Sequence, residues 1–215
     1  MRTNHRESRT RKLLSIASPS LGRGTGRPNL VREIGSAWPD LAALLSERNG
    51  FFAFESALHV FPLAQGSRGY DLVRWNQPGT WRRYYGGLAD GLVFFAEDLF
   101  GGQWGLTESG VVRFDPETGA TEAHADSLEE WASRILGDYE VETGWPLARE
   151  WQRANRSLAD NERLIPRQLF VLGGAYDITN LKAVDAAEGM RIRGPIAQKL
   201  ACLPDDAVVS LEVVP

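Results

Sequence analysis

The chain has 215 residues, 43% of them hydrophobic, and a formal net charge of −4. That length is enough for one well-formed core with an appendage. No run of about 18 apolar residues, the length a membrane-spanning helix needs, is present. Cys202 is the only cysteine, which excludes an internal disulfide.

The charge is unevenly divided. Residues 1–32 hold eight basic side chains against the single acid Glu7, and they have few large apolar groups. Such a segment cannot bury enough surface to fold alone, so it reads as a basic, disordered tail. Its apolar run, Leu13 to Ala17, is too short for a secretory core of about 7–15 residues, so a cytoplasmic location is expected. Residues 85–145 are the opposite, with thirteen acids against Arg113 and Arg134.

After the tail, Pro39 to about Arg48 reads as a helix. Proline suits a first turn, Leu41, Leu44 and Leu45 form a stripe, and Gly50 follows as a stop. A β-rich stretch comes next, with strands expected at Phe51–Phe54, Leu58–Leu63, Asp71–Trp75, Leu92–Ala96, Gln103–Leu106 and Val111–Phe114. Glycine-rich turns separate them, and Asp115-Pro116-Glu117-Thr118-Gly119 closes the last. Short, closely spaced strands of this kind predict an antiparallel sheet of consecutive hairpins.

Asp126, with Glu129 three residues on, predicts the start of a helix whose Leu128, Trp131, Ala132 and Ile135 share one face. A further helix is expected from Pro146 to about Leu158. The remainder reads as a strand at Leu169–Leu172, a glycine turn and a second strand. A helix capped by Asp185 follows, with Met190, Ile192, Ile196 and Leu200 inward, and a closing strand at Val208–Val214. Gly194-Pro195 should kink or divide that helix. The class is therefore α+β. A mainly antiparallel central sheet is flanked by helices over residues 33–142, with a helix and a β-β-α-β extension over 143–215.

Catalytic chemistry is sparse. The histidines are His5, His59 and His124. His59 alternates with apolar residues and is expected to be half-exposed; His124 is expected to face solvent. There is no HExxH, CxxC or His-x-His pattern, no phosphate loop and no GxSxG elbow, so no metal, cofactor or catalytic residue is assigned. Cys202 reads as a small core hydrophobe. Carboxylate pairs such as Glu97-Asp98 and Asp205-Asp206 would do acid–base work only if buried together.

Three runs, in order and spacing, carry a resemblance. They are Trp38-Pro39 to Asn49-Gly50, then Leu99 to Leu106 with Val112 to Gly119, then Asp126-Ser127-Leu128-Glu129-Glu130-Trp131. Together they resemble the SMI1/KNR4 (SUKH) superfamily over about residues 36–136. The segment Phe170 to Tyr176 with Asn180-Leu181 is similar to an extension of bacterial members. The resemblance implies a non-enzymatic α+β binding protein. It further implies a bacterial immunity protein that neutralises a secreted toxin domain, such as a nuclease or deaminase; fungal members are regulatory scaffolds instead. It carries no catalytic residue.

Many such toxins are basic, so an acidic face would steer the encounter. Glu97, Asp98, Glu108, Glu117 and Glu122 are the candidates for that face; the alternative is that these charges only keep the chain in solution. Trp75, Trp81, Tyr85 and Trp104 are the candidate aromatic anchors, where Trp and Tyr dominate binding energy. Most aromatics of the cluster must nonetheless pack a core. The acidic body argues against nucleic acid as a direct ligand, since phosphate contacts need Lys and Arg.

Overall fold

The structure, a computed structural model, describes residues 8–22, 39–63 and 69–204. Helices α1 (Arg9–Ile16) and α2 (Pro39–Glu47) precede strands β1 (Phe51–Ala53) and β2 (Leu58–Val60). A helical turn α3 (Leu72–Trp75) and a 3-10 turn (Arg82–Tyr85) lead to β3 (Val93–Glu97), β4 (Gln103–Thr107), β5 (Gly110–Phe114) and β6 (Thr121–Ala125). Then come α4 (Leu128–Gly137), α5 (Tyr139–Thr143) and α6 (Trp145–Ala154). The chain continues through β7 (Glu162–Pro166), β8 (Leu181–Asp185) and α7 (Ala186–Leu200).

The fold is α+β, as the patterning predicts. β1 to β6 form one antiparallel sheet in sequence order, so each strand needs only a short connection to its neighbour. β7 and β8 form a separate antiparallel hairpin.

The sheet buries both faces. On one, Phe94 and Phe114 pack against Trp81 from the segment before β3, at ring distances of 5.3 and 6.2 Å. Trp75 and Tyr85 extend that cluster. On the other, Phe95 and Trp104 meet Trp131 of α4 at 5.1 and 5.9 Å. Phe94 and Phe95 are consecutive in β3, so they point to opposite faces and enter different layers. A smaller cluster of Ala57, Leu99, Ala148, Trp151, Leu158, Leu164 and Leu181 joins β7 and β8 to α6. α7 approaches the 3-10 turn so closely that a Cβ on Gly194 would lie 2.5 Å from the Tyr84 carbonyl oxygen, a spacing only glycine permits.

Several expectations are corrected. Asp71–Trp75 is not a strand: the Asp71 carboxylate accepts from Arg74 N–H and starts the turn α3. Leu169–Leu172 is not a strand either, but a 3-10 turn over Phe170–Leu172 closed by Gly173 at φ 79°. The first cap of α4 is Ser127 rather than Asp126. Ser127 Oγ accepts from Glu130 N–H at 3.1 Å, and Glu130 Oε2 reaches back one residue beyond the cap to accept from Asp126 N–H at 3.0 Å. α6 ends before Leu158.

In α7, Asp185 caps and Met190 faces inward as expected, but Ile192 is exposed, and Arg193 and Ala197 take the inner face. Pro195 leaves α7 a single helix. Strands β6 and β7 are not among the expected elements, the second strand expected before the Asp185-capped helix is β8, and the expected strand Val208–Val214 lies outside the described residues.

The basic tail is also corrected, because Arg9–Ile16 forms α1 with Leu13 and Leu14 buried. Beyond it, Ser18, Leu21 and Gly22 donate backbone N–H bonds to Phe52, Gly50 and Asn49, covering the outer edge of β1. An eight-residue helix is marginal alone, so what holds it is tertiary. The Glu129 carboxylate of α4 sits at its N-terminus, accepting from the N–H groups of Arg9 and Thr10 and from the hydroxyls of Ser8 and Thr10. Those are the orphan donors of a helix start, and the dipole there favours a negative charge. Glu129→Ala is expected to cost about 1–2 kcal/mol and to raise amide exchange across residues 9–22 first. Unchanged exchange in that segment would show that Leu13 and Leu14 alone seat the helix.

Candidate functional site

A cleft of about 370 Å³ opens where the sheet meets the C-terminal elements. One wall comes from the β3–β4 turn (Asp98, Phe100, Gly102) and from Arg113 on β5. The turn after β5 contributes Asp115, Pro116 and Glu117; Phe170, Val171 and Tyr176 form the opposite wall, and Arg193 of α7 reaches in from below. The turn chemistry legible in the sequence builds this: Asp115 Oδ1 accepts from Glu117 N–H at 2.8 Å, fixing where the Glu117 side chain leaves the backbone.

The charged groups here are not equivalent. Asp98 is fully engaged: Oδ1 accepts from Gly102 and Phe100 N–H at 2.7 and 2.8 Å, and Oδ2 pairs with Arg113. Arg113 also lies over the Trp104 ring, 4.1 Å from its centroid. Arg193 is spent on backbone, donating from Nη1 to Phe100 O at 2.7 Å and from Nε to Gly189 O at 3.1 Å. Glu117 is different. It is only 4% exposed; its Oε2 accepts from Val171 N–H at 2.9 Å, and its Oε1 has no partner.

Burial pushes the Asp98 carboxyl above its usual range against the pull of Arg113 and the Gly102 N–H. Burial does the same to Glu117 against the Val171 and Phe170 N–H groups and Arg193.

Behind the cleft lies a sealed polar network. Glu97 Oε1 pairs with Arg163 Nη2 at 2.8 Å and with His59 Nδ1 at 3.0 Å, while Gln103 bridges Glu97 to the Trp75 indole N–H. His59, Glu97 and Arg163 are each 1% exposed, and Gln103 is fully buried. Burial would push the Glu97 carboxyl up, but the Arg163 guanidinium, helped by His59 and Gln103, holds it below its usual range. Burial is the main cause that lowers His59 to about 4. These groups tie β2, β3, β4 and β7 together and are closed to a substrate.

The sequence-predicted site residues therefore disperse. Trp75, Trp81, Tyr85 and Trp104 are core side chains with no exposure, so a role as surface anchors is overturned. Glu97 is buried and ion-paired, and Asp98 and Glu117 are buried along the cleft, so none of the three belongs to an exposed acidic face. Only Glu108, at the β4–β5 turn, and Glu122, on β6, are exposed.

His59 is buried, not half-exposed. His124 is half-buried; burial and then Arg113 and Arg134 lower its pKa to about 4. Cys202 is exposed rather than core. Among the described residues, no group of three or more His, Cys, Asp or Glu is placed to hold a metal, and no helix is long and apolar enough to cross a membrane.

The reading by sequence missed Arg113, Tyr176 and Arg193 as cleft residues. The one available signal was Arg193, which stands at helical spacing between the inward Met190 and Ala197.

The fold places the chain among α+β proteins, with a six-stranded antiparallel sheet, flanking helices and a separate two-stranded hairpin. No family model matches it, and no curated protein does. Among solved structures it is similar to the crystal structure of Atu4351 from Agrobacterium tumefaciens, with a TM-score of 0.54 and 12% identity. The match covers 85% of this chain and 86% of that one. At that identity the likeness is one of fold.

Proposed function

We propose that the chain is a non-enzymatic binding protein of SMI1/KNR4 type that captures and neutralises a basic toxin domain. The observation that carries this reading is the charge left at the surface. After the three acids corrected above are removed, Asp90, Glu108, Asp115, Glu122, Asp126, Glu129, Asp138 and Glu140 remain exposed within residues 85–145, with Arg134 the only exposed base among the described residues there. Such a surface raises the encounter rate with a cationic partner and rejects polyanions. The six-stranded sheet with flanking helices fits the fold that the resemblance implies.

The test is growth rescue. The toxin domain encoded beside this chain is produced with and without it, both proteins being soluble. Rescue is expected; its failure overturns the reading. Reversing Glu108, Glu122 and Glu140 to lysine is expected to slow association by about tenfold at low salt and to flatten its salt dependence. An unchanged rate would mean that these charges serve solubility.

A second reading has one specific observation in its favour: Asp98 and Glu117 are buried carboxylates along one cleft, both shifted upward, a pattern that marks acid–base sites. Asp98 is, however, committed to Arg113 and two backbone N–H groups. One free carboxylate without a second group in a matched role is a binding feature, and we give the cleft that role.

A further inference from the structure

We propose that the Glu117 cleft is a receptor for one basic side chain, lysine or arginine, of the captured protein. This rests on the binding reading above and gives it a contact point. Glu117 is a carboxyl buried at the end of the turn that Asp115 fixes, and its Oε1 accepts no hydrogen bond. A buried polar atom is costly to leave unpartnered, so a group that completes it binds with that advantage. The nearby cations do not complete it: Arg113 is paired with Asp98, and Arg193 is bonded to the carbonyls of Phe100 and Gly189.

The wall opposite suits a cation as well. Phe170 and Tyr176 stack at 3.8 Å, and Phe100 stands edge-on to them at 5.3 and 6.2 Å. Tyr176 is 66% exposed and Val171 46%, so large apolar surface is left open at the mouth. A carboxylate beside aromatic faces recognises an alkylammonium or guanidinium through charge and cation–π attraction together. The same elements suit a neutral side chain poorly, because it would leave the buried carboxylate unpaired.

The experiment has two arms. In the first, the purified full chain is titrated with Nα-acetyl-lysine methylamide and Nα-acetyl-arginine methylamide. Nα-acetyl-norleucine methylamide is the neutral control, and backbone amide shifts are followed by NMR. Saturable shifts at Val171 and Tyr176 are expected with a basic probe, at least tenfold tighter than with norleucine. Glu117→Gln should remove that preference, and so should Tyr176→Ala, an exposed position whose truncation leaves the core intact. Equal binding of norleucine, or an unaltered preference in Glu117→Gln, overturns the proposal.

The second arm measures partner affinity with the same variants, with a loss of at least tenfold expected. Wild-type rescue with undiminished affinity in both variants overturns the cleft while leaving the immunity reading intact. Failure of wild-type rescue, with probe binding retained, overturns the immunity reading instead.

Discussion

Arg163→Met is expected to destabilise the fold by about 3–5 kcal/mol, the cost of stranding a buried charge. Arg163 stands on β7 and is the only guanidinium within ion-pair distance of Glu97 among the described residues. Removing it leaves the Glu97 carboxylate in the core with His59 and Gln103, neither a full positive charge at neutral pH. The carboxyl then takes up a proton or drags in water, and either costs stability. The same side chain helps fasten the β7–β8 hairpin, which otherwise meets the β3–β4 turn through Leu164 N–H to Leu99 O at 2.9 Å. Chemical denaturation of Arg163→Met, Glu97→Gln and the double variant measures the coupling. The double variant should recover much of the loss, because a buried ion pair replaced on both sides is often close to neutral. Additive losses would show that Arg163 acts by packing rather than by charge.

That network also shows why the sheet was legible in the sequence and the site was not. Alternation and turn chemistry are local, so β1, β3, β4, β5 and α2 were found to within a residue or two. β6 was missed because Thr121, Glu122 and Ala123 are exposed, so no apolar alternation marks them. β7 holds Arg163 at a position as buried as its neighbours Leu164 and Ile165, and a charge in a strand breaks the pattern by which strands are recognised.

Glu97, Asp98 and Glu117 looked like surface because acids usually are. What buries them are partners distant in sequence: Arg163 for Glu97, Arg113 for Asp98, and the Val171 N–H for Glu117. The four aromatics were misplaced for a related reason. Composition says that tryptophan is abundant, but only the packing of the segment 69–92 and α4 on opposite faces says which ones are enclosed.

The second large effect is a loss of stability on mild acidification. His59 titrates near 4 in the folded state and near 6.5 when unfolded, because burial disfavours the imidazolium. Between those values the unfolded chain binds more protons, so stability is fully present above about pH 6.5 and falls as the pH drops toward 4. Between pH 7.5 and 5 this single side chain is expected to withdraw about 2 kcal/mol. His124, shifted in the same direction, adds to the fall. Asp98 and Glu117 act the other way, since carboxyls raised in the fold gain protons before the unfolded chain does.

The comparison of wild type with His59→Phe cancels those contributions, because both proteins keep them. Phenylalanine keeps the stacking partner of Phe52, which lies 4.5 Å from the His59 ring, and leaves Glu97 paired with Arg163. Urea denaturation at pH 7.5 and pH 5 is expected to show a smaller acid loss in His59→Phe than in wild type, by about 2 kcal/mol. Equal losses in the two proteins would mean that His59 accepts its proton without leaving the core, with Glu97 holding the imidazolium in place.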